Sequence, residues 1–407
     1  MGYRLFIIFS LALFPLQVLN AQQSLSLLKT YELERPLVLM EIRNHSAEVL
    51  LQAGKEMKEN RDEMNPQDVR SMEVIIAAAL LQQSGYDSIR TLLKWVDQSD
   101  EQASQYPQQA LGEIILSLVN IFQNKYSETY EYAKSAGRQF LKQGDTANYA
   151  MSRSMEGLAL YNLGIREEGL NTYRESINLY QITGFASEAE LGKANLSAFY
   201  INSKNFQKGV ELLDELLNTP QITLKPHFQV VAWGNYSLAL LKLNRTDLAL
   251  RYAVKTELMA DTISFPVGKC YGKILQAKIS QQIGDWSVAQ QILDDLQELS
   301  NVMEGNPSLK SFYLHALGRQ QDYRKEYAAA IQSFKSSAAL AKPDLVFPSL
   351  DDAYAGWHGA ASKMGDAEQA SMVFQKMSAM KDSLYVASTN ASLDLYAARE
   401  QLTQKDV

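Results

Sequence analysis

The polar and apolar positions of this chain alternate with the period of an α-helix, most clearly from Lys325 to Leu340. Tyr327, Ala330, Ile331, Phe334 and Ala338 share one helical face, with polar residues opposite. Small Ala330 between two rings leaves room for a neighbouring helix to approach closely. With the helix that precedes it, this stretch forms a unit marked by Gly318, Gln321, Lys325, Tyr327, Ala330, Phe334 and Ser337, and the marks return along the chain. A step back of 41 reaches Ala277, Gly284, Trp286, Ala289 and Leu293, and further steps of 40 reach registers that include Asn244 and Ala249, Phe206 and Gly209, and Gly164 and Gly169. Two more lie before these, and one follows at His358, Gly365, Ala370 and Phe374, which makes eight registers. A fixed period of this length predicts an array of two-helix repeats.

Proline placement agrees with that register. Pro66, Pro107, Pro226, Pro266, Pro307 and Pro348 each fall just before a first helix, where the missing N–H costs nothing and the fixed φ is already helical. The two boundaries without proline carry Gly144-Asp145-Thr146 and Thr183-Gly184-Phe185-Ala186-Ser187, which break and cap helices.

These small and aromatic positions resemble the tetratricopeptide repeat, through Gly157, Gly164, Gly169 and Tyr173, through Ala277, Gly284, Trp286 and Ala289, and through Gly318, Tyr327, Ala330 and Phe334. The resemblance implies an all-α fold, an α-solenoid of stacked antiparallel helix pairs wound as a right-handed superhelix. It covers about Pro66 to Lys381, with departures. The units are longer than is usual for the family, the tryptophan of the first helix is mostly missing, and Thr129 and Ile89 stand where alanine is preferred. The expected organisation is a leader at 1–21, an N-terminal helical cap at 30–65, about eight repeats of 40–41 residues over 66–383, and a C-terminal helix at 384–407.

The leader reading rests on Arg4, the apolar run Leu5–Leu16 and the small-residue site at Ala21, the layout of a secretory signal peptide. An uncleaved anchor is the alternative, because Leu19 is a poor small-residue match two positions before Ala21. No later stretch is apolar over the roughly 20 residues a membrane span needs. The expectation is therefore an exported, periplasmic or otherwise extracytoplasmic chain with no further membrane span. Cys270 is the single cysteine among 407 residues, so no intrachain disulfide can form, and its place on an apolar helix side predicts a buried, inert thiol.

Net charge is -7 and the basic residues are scattered, which argues against nucleic acid as a partner. His45, His227, His315 and His358 have no second ligand at metal-binding spacing, and no phosphate-cradling or nucleophile motif occurs, so no catalytic residue, metal or cofactor is assigned. Asp294-Asp295 and Asp351-Asp352 diverge by about 100 degrees if helical, too far to share one site, and Asp351-Asp352 is better read as an N-terminal cap. Asp87-Ser88-Ile89, Asp145-Thr146-Ala147, Asp261-Thr262-Ile263 and Asp382-Ser383-Leu384 resemble a short periplasmic O-glycosylation signal.

What remains is the surface of the array. In the tetratricopeptide family the first helices line a concave groove, and the register places there Leu111, Ile114, Leu118 and Phe122, then Tyr161, Asn162, Ile201 and Asn202, then Lys242, Lys278, Gln282, His315, Arg319, Tyr323 and Lys363. The groove would pass from apolar to polar and mildly basic, and an acidic peptide or chain-end carboxylate could lie across Lys242, Lys278 and Arg319. The set does not reproduce the lysines and asparagines with which some tetratricopeptide domains clamp a C-terminal carboxylate, so that activity is not carried over. The expected partner is a protein or peptide, in envelope sensing or assembly. The segment after the repeats also resembles that of membrane-tethered sensors of Gram-negative bacteria. The alternative is thus the extracytoplasmic part of a longer histidine kinase or transcriptional regulator, whose output domain would follow Val407.

Overall fold

The structure, a computed structural model, describes residues 66–82, 85–98, 107–218, 224–341, 350–380 and 382. The expected leader, N-terminal cap and C-terminal helix lie outside them, as does Pro348. Among the described residues there are helices and turns and no strands. The helices come as consecutive pairs. These are α1 (Pro66–Gln82) with α2 (Tyr86–Leu92), α3 (Pro107–Gln123) with α4 (Tyr126–Gln143), α5 (Thr146–Asn162) with α6 (Arg166–Ile182), and α7 (Ala186–Asn202) with α8 (Phe206–Leu217). Next come α9 (Pro226–Lys242) with α10 (Thr246–Thr262), and α11 (Pro266–Ile283) with α12 (Trp286–Asp295). A short α13 (Ser300–Glu304) precedes α14 (Pro307–Tyr323) with α15 (Tyr327–Leu340), and α16 (Leu350–Met364) is followed by α17 (367–380). The fold is an all-α solenoid of stacked helix pairs.

The turns explain why the helices end where they do. Gly144, Gly164, Gly184, Gly284 and Gly365 adopt positive φ, and so do Asn124, Lys204, Asn244, Ser264 and Lys325. From residue 124 to residue 204 these positions fall every 20 residues, so turns within a pair and turns between pairs use the same left-handed stop. Asp145, Asn205, Asp285 and Asp366 follow such a residue directly, and each side chain accepts from the backbone N–H three residues on, starting the next helix. Pro226, Pro266 and Pro307 sit in the first turns of their helices.

The described residues divide into two compact units, one within Leu11–Gly192 and one within Lys193–Asn390, the division falling inside α7. In the first unit α1 packs on α3, α3 on α5, and α5 and α6 meet almost backbone to backbone. A Cβ on Gly169 would lie 2.5 Å from the Tyr161 backbone nitrogen, and one on Gly157 would lie 2.8 Å from the Gly169 carbonyl oxygen. These are two of the glycines that carried the repeat signature. In the second unit α9 packs on α11, α11 on α14 and α14 on α16, forming a continuous layer of first helices. Phe334 is inserted from α15, and a Cβ on either Gly318 or Gly356 would come within 2.9 Å of its ring.

First and second helices are buried differently. In α10 the buried residues are Ala249, Ala253, Thr256 and Ala260, a single stripe. In α9, Val230 to Leu241 are buried on nearly all sides, apart from half-buried Trp233, because that helix has first-helix neighbours as well as its own partner. This layering corrects the expected apolar end of the groove. Leu111, Ile114, Leu118 and Ile201 are core residues, and Phe122 stacks on Tyr86 with ring centroids 5.7 Å apart. Cys270 is fully buried, and burial pushes its thiol up to about 11, consistent with an inert role.

Candidate functional site

The expected groove residues separate into those the second unit gathers and those it does not. Tyr161 and Asn162 belong to the first unit, where Asn162 donates to the Leu158 carbonyl of its own helix at 2.8 Å and the Tyr161 ring lies under the Arg166 guanidinium. The open depression on α5 and α6 contains Arg153, which is already held by Glu156 at 2.5 Å and Glu175 at 2.6 Å.

In the second unit, α9, α11 and α14 bring together Lys242, Lys278, His315 and Arg319, with Gln282 and Tyr323 beside them. Gln282 donates to Asn244 Oδ1 at 2.6 Å and ties α11 to the turn after α9. Tyr323 is exposed and stacks flat on Trp286 at 4.1 Å, and Arg319 approaches the other partner of that stack, with its guanidinium 6.0 Å from the Trp286 ring centre. Lys363 pairs with Asp322 at 2.5 Å. The Asn202 side-chain oxygen is buried with no hydrogen-bond partner among the described residues.

Lys278 and His315 are not the solvated surface residues that a helix face usually carries. They are 5% and 7% exposed, and Lys278 Nζ donates to His315 Nδ1 at 2.8 Å while lying 4.8 Å from the centre of the Phe312 ring. Burial lowers the Lys278 amine well below its ordinary value, and the nearby Arg319 and Lys242 charges add to that. Burial also lowers His315, with Lys278 and Arg319 acting in the same sense, so the imidazole is neutral and free to accept. Among the described residues neither Lys278 nor Arg319 has a carboxylate at ion-pair distance.

Two partners in this site were not anticipated as such. Asp351 and Asp352 occupy the first turn of α16, the capping position expected for them, and they also pair with lysines far away in sequence. Lys204 Nζ lies 2.9 Å from Asp351, and Lys242 Nζ lies 3.1 Å from Asp352. Burial opposes ionisation of Asp352, but Lys242 and Lys278 outweigh it and hold the carboxyl below its ordinary range. The arrangement is a cation cluster that already holds carboxylates. Among the described residues no group of His, Cys, Asp and Glu is placed to hold a metal, and no helix is long and apolar enough to cross a membrane.

No protein-family model matches the sequence, and no curated protein matches it. Solved structures do share the fold. The Rap protein complexed with competence and sporulation factor aligns with a TM-score of 0.62 at 10% identity, over 90% of this chain and 99% of that one. NprR in complex with its cognate peptide NprX gives 0.53 at 10% identity, over 88% of this chain and 100% of that one. A signal-transduction ATPase with a tetratricopeptide repeat sensor, from Pyrococcus horikoshii, gives 0.52 at 12% identity, over 87% of this chain and 54% of that one. The chain thus has a tetratricopeptide-like helical-repeat fold.

Proposed function

We propose that this chain is a helical-repeat scaffold that binds a protein or peptide at the face around Lys242, Lys278 and Arg319. One observation carries the reading: cations from separate repeats converge on carboxylates there, and two of them, Lys278 and Arg319, have no ion pair among the described residues. Buried or half-buried cations are costly unless an anion offsets them, so a site that collects them is suited to an anionic group brought by a partner. NprR, which shares the fold, is known in complex with a cognate peptide, and that supports peptide as the ligand class. The signal-peptide layout of residues 1–21 supports an exported protein, and we place its role in envelope sensing or assembly, without catalysis.

Affinity capture with the full chain tests this. The combined variant Lys242→Gln, Lys278→Met, Arg319→Gln should retain its helical circular dichroism and lose most of the captured partner. Undiminished capture by the folded variant would refute the reading.

A further inference from the structure

The ion pairs of Asp351 and Asp352 do something that helix capping does not require. They join the N-terminus of α16 to the C-terminal ends of α7 and α9 across 147 and 110 residues of sequence. The polarity fits: acidic side chains at a helix N-terminus face lysines at helix C-termini, each favourable with its own helix dipole. The first turn of α16 also lies near the buried pair, since the Lys278 charge helps to hold the Asp352 carboxyl below its ordinary range. Thus α16 places two carboxylates over the cluster of Lys204, Lys242, Lys278 and Arg319.

We propose that Asp351 and Asp352 are a built-in anionic occupant of this cluster, and that the ligand admitted there is an acidic peptide whose carboxylates exchange with theirs. The proposal rests on the peptide-binding reading above and names the ligand's chemistry and its regulation. Three features favour exchange over a fixed structural role. The Lys204 and Asp351 side chains are 60% and 32% exposed, and ion pairs that wet are weak and easily replaced. Asp351 Oδ1 is buried with no hydrogen-bond partner among the described residues, so this carboxylate is incompletely satisfied where it sits. With both aspartates in place, Lys278 and Arg319 still have no carboxylate at ion-pair distance among the described residues, so an incoming peptide gains contacts that the occupant does not make.

The test is fluorescence anisotropy of labelled octaglutamate with the full chain at low salt, with octaglutamine as the uncharged control. A self-occupied site weakens apparent affinity by the fraction of time it is filled, so Asp351→Asn with Asp352→Asn should bind octaglutamate tighter by about fivefold or more. Asp351→Asn alone removes one built-in carboxylate and leaves every cation of the cluster in place, and should tighten binding by about twofold. Adding Arg319→Gln to the double asparagine variant should abolish the gain. Octaglutamate binding no tighter in either release variant overturns the built-in occupant. Octaglutamate bound by no variant, or no better than octaglutamine, overturns the acidic ligand. Neither failure touches the scaffold reading, which stands or falls on partner capture by the Lys242, Lys278 and Arg319 variant.

Discussion

At the scale of single residues, Lys278 shows how this protein sacrifices stability at its candidate site. An ammonium group taken out of water without a carboxylate is expensive, and its hydrogen bond to His315 and its contact with the Phe312 ring offset only part of that cost. Met fills the same space without a charge, so Lys278→Met should stabilise the second unit by about 1 to 3 kcal/mol in urea unfolding while weakening anion binding. Glu113 on α3 is a second buried charge, with Gln109, Ser135 and Gln139 as its donors. Burial raises it to about 7 against those hydrogen bonds and the Arg138 charge. A carboxyl raised in the folded state contributes stability that is complete below the unfolded value near 4.5 and is lost as pH rises through 7. Glu113→Gln should therefore stabilise the first unit at pH 8 by up to about 3 kcal/mol and have little effect at pH 4.

At the scale of the element, close approach and turn geometry set different demands on similar residues. Gly169→Ala puts a methyl group 2.5 Å from backbone that cannot move without separating α5 and α6, and should cost about 2 kcal/mol or more in thermal unfolding. Gly359 in α16 has nothing within 4 Å of a built Cβ, so Gly359→Ala should instead stabilise by about 0.5 to 1 kcal/mol through helix propensity. The non-glycine turn residues point the other way. Ser264 and Lys325 hold φ of 54° and 62°, and glycine at either removes the left-handed penalty. Ser264→Gly or Lys325→Gly should raise the melting temperature, each by the equivalent of about 0.5 to 1 kcal/mol.

At the scale of the whole molecule, the two units carry buried titratable groups of opposite sense. His315, lowered by burial and by Lys278, contributes stability to the second unit that is present above its ordinary value of 6.5 and lost as pH falls below it. Glu113 does the reverse in the first unit. Hydrogen exchange, corrected for intrinsic rates, should show protection of 107–143 rising as pH falls from 8 to 5.5, while protection of 266–323 falls. Protection moving in the same direction in both segments would contradict this assignment. In a repeat array each unit contacts mainly its neighbours, so such local effects are read locally rather than averaged over the chain.

The helical pairing was legible in the sequence because it is written in short-range physics. The stripe of Ala249, Ala253, Thr256 and Ala260, the glycines at 157 and 169, the ring of Phe334 and the prolines that open α9, α11 and α14 all act within one helix or between adjacent helices. Lys242, Lys278 and Arg319 were also legible, as register positions on the first helices, whereas Lys204, in the turn after α7, was not. Burial was not legible either. Lys278 and His315 become core-like because first helices stack on first helices, which the periodicity of any one helix does not record. The same stacking turned Leu111, Ile114 and Leu118 from expected groove lining into core. The pairing of Asp351 with Lys204 depends on how small rotations between successive helix pairs add up over 147 residues of sequence. Sequence alone determined which faces attract and where each helix stops; the accumulated rotation, a property of the assembled stack, decided which distant charges meet.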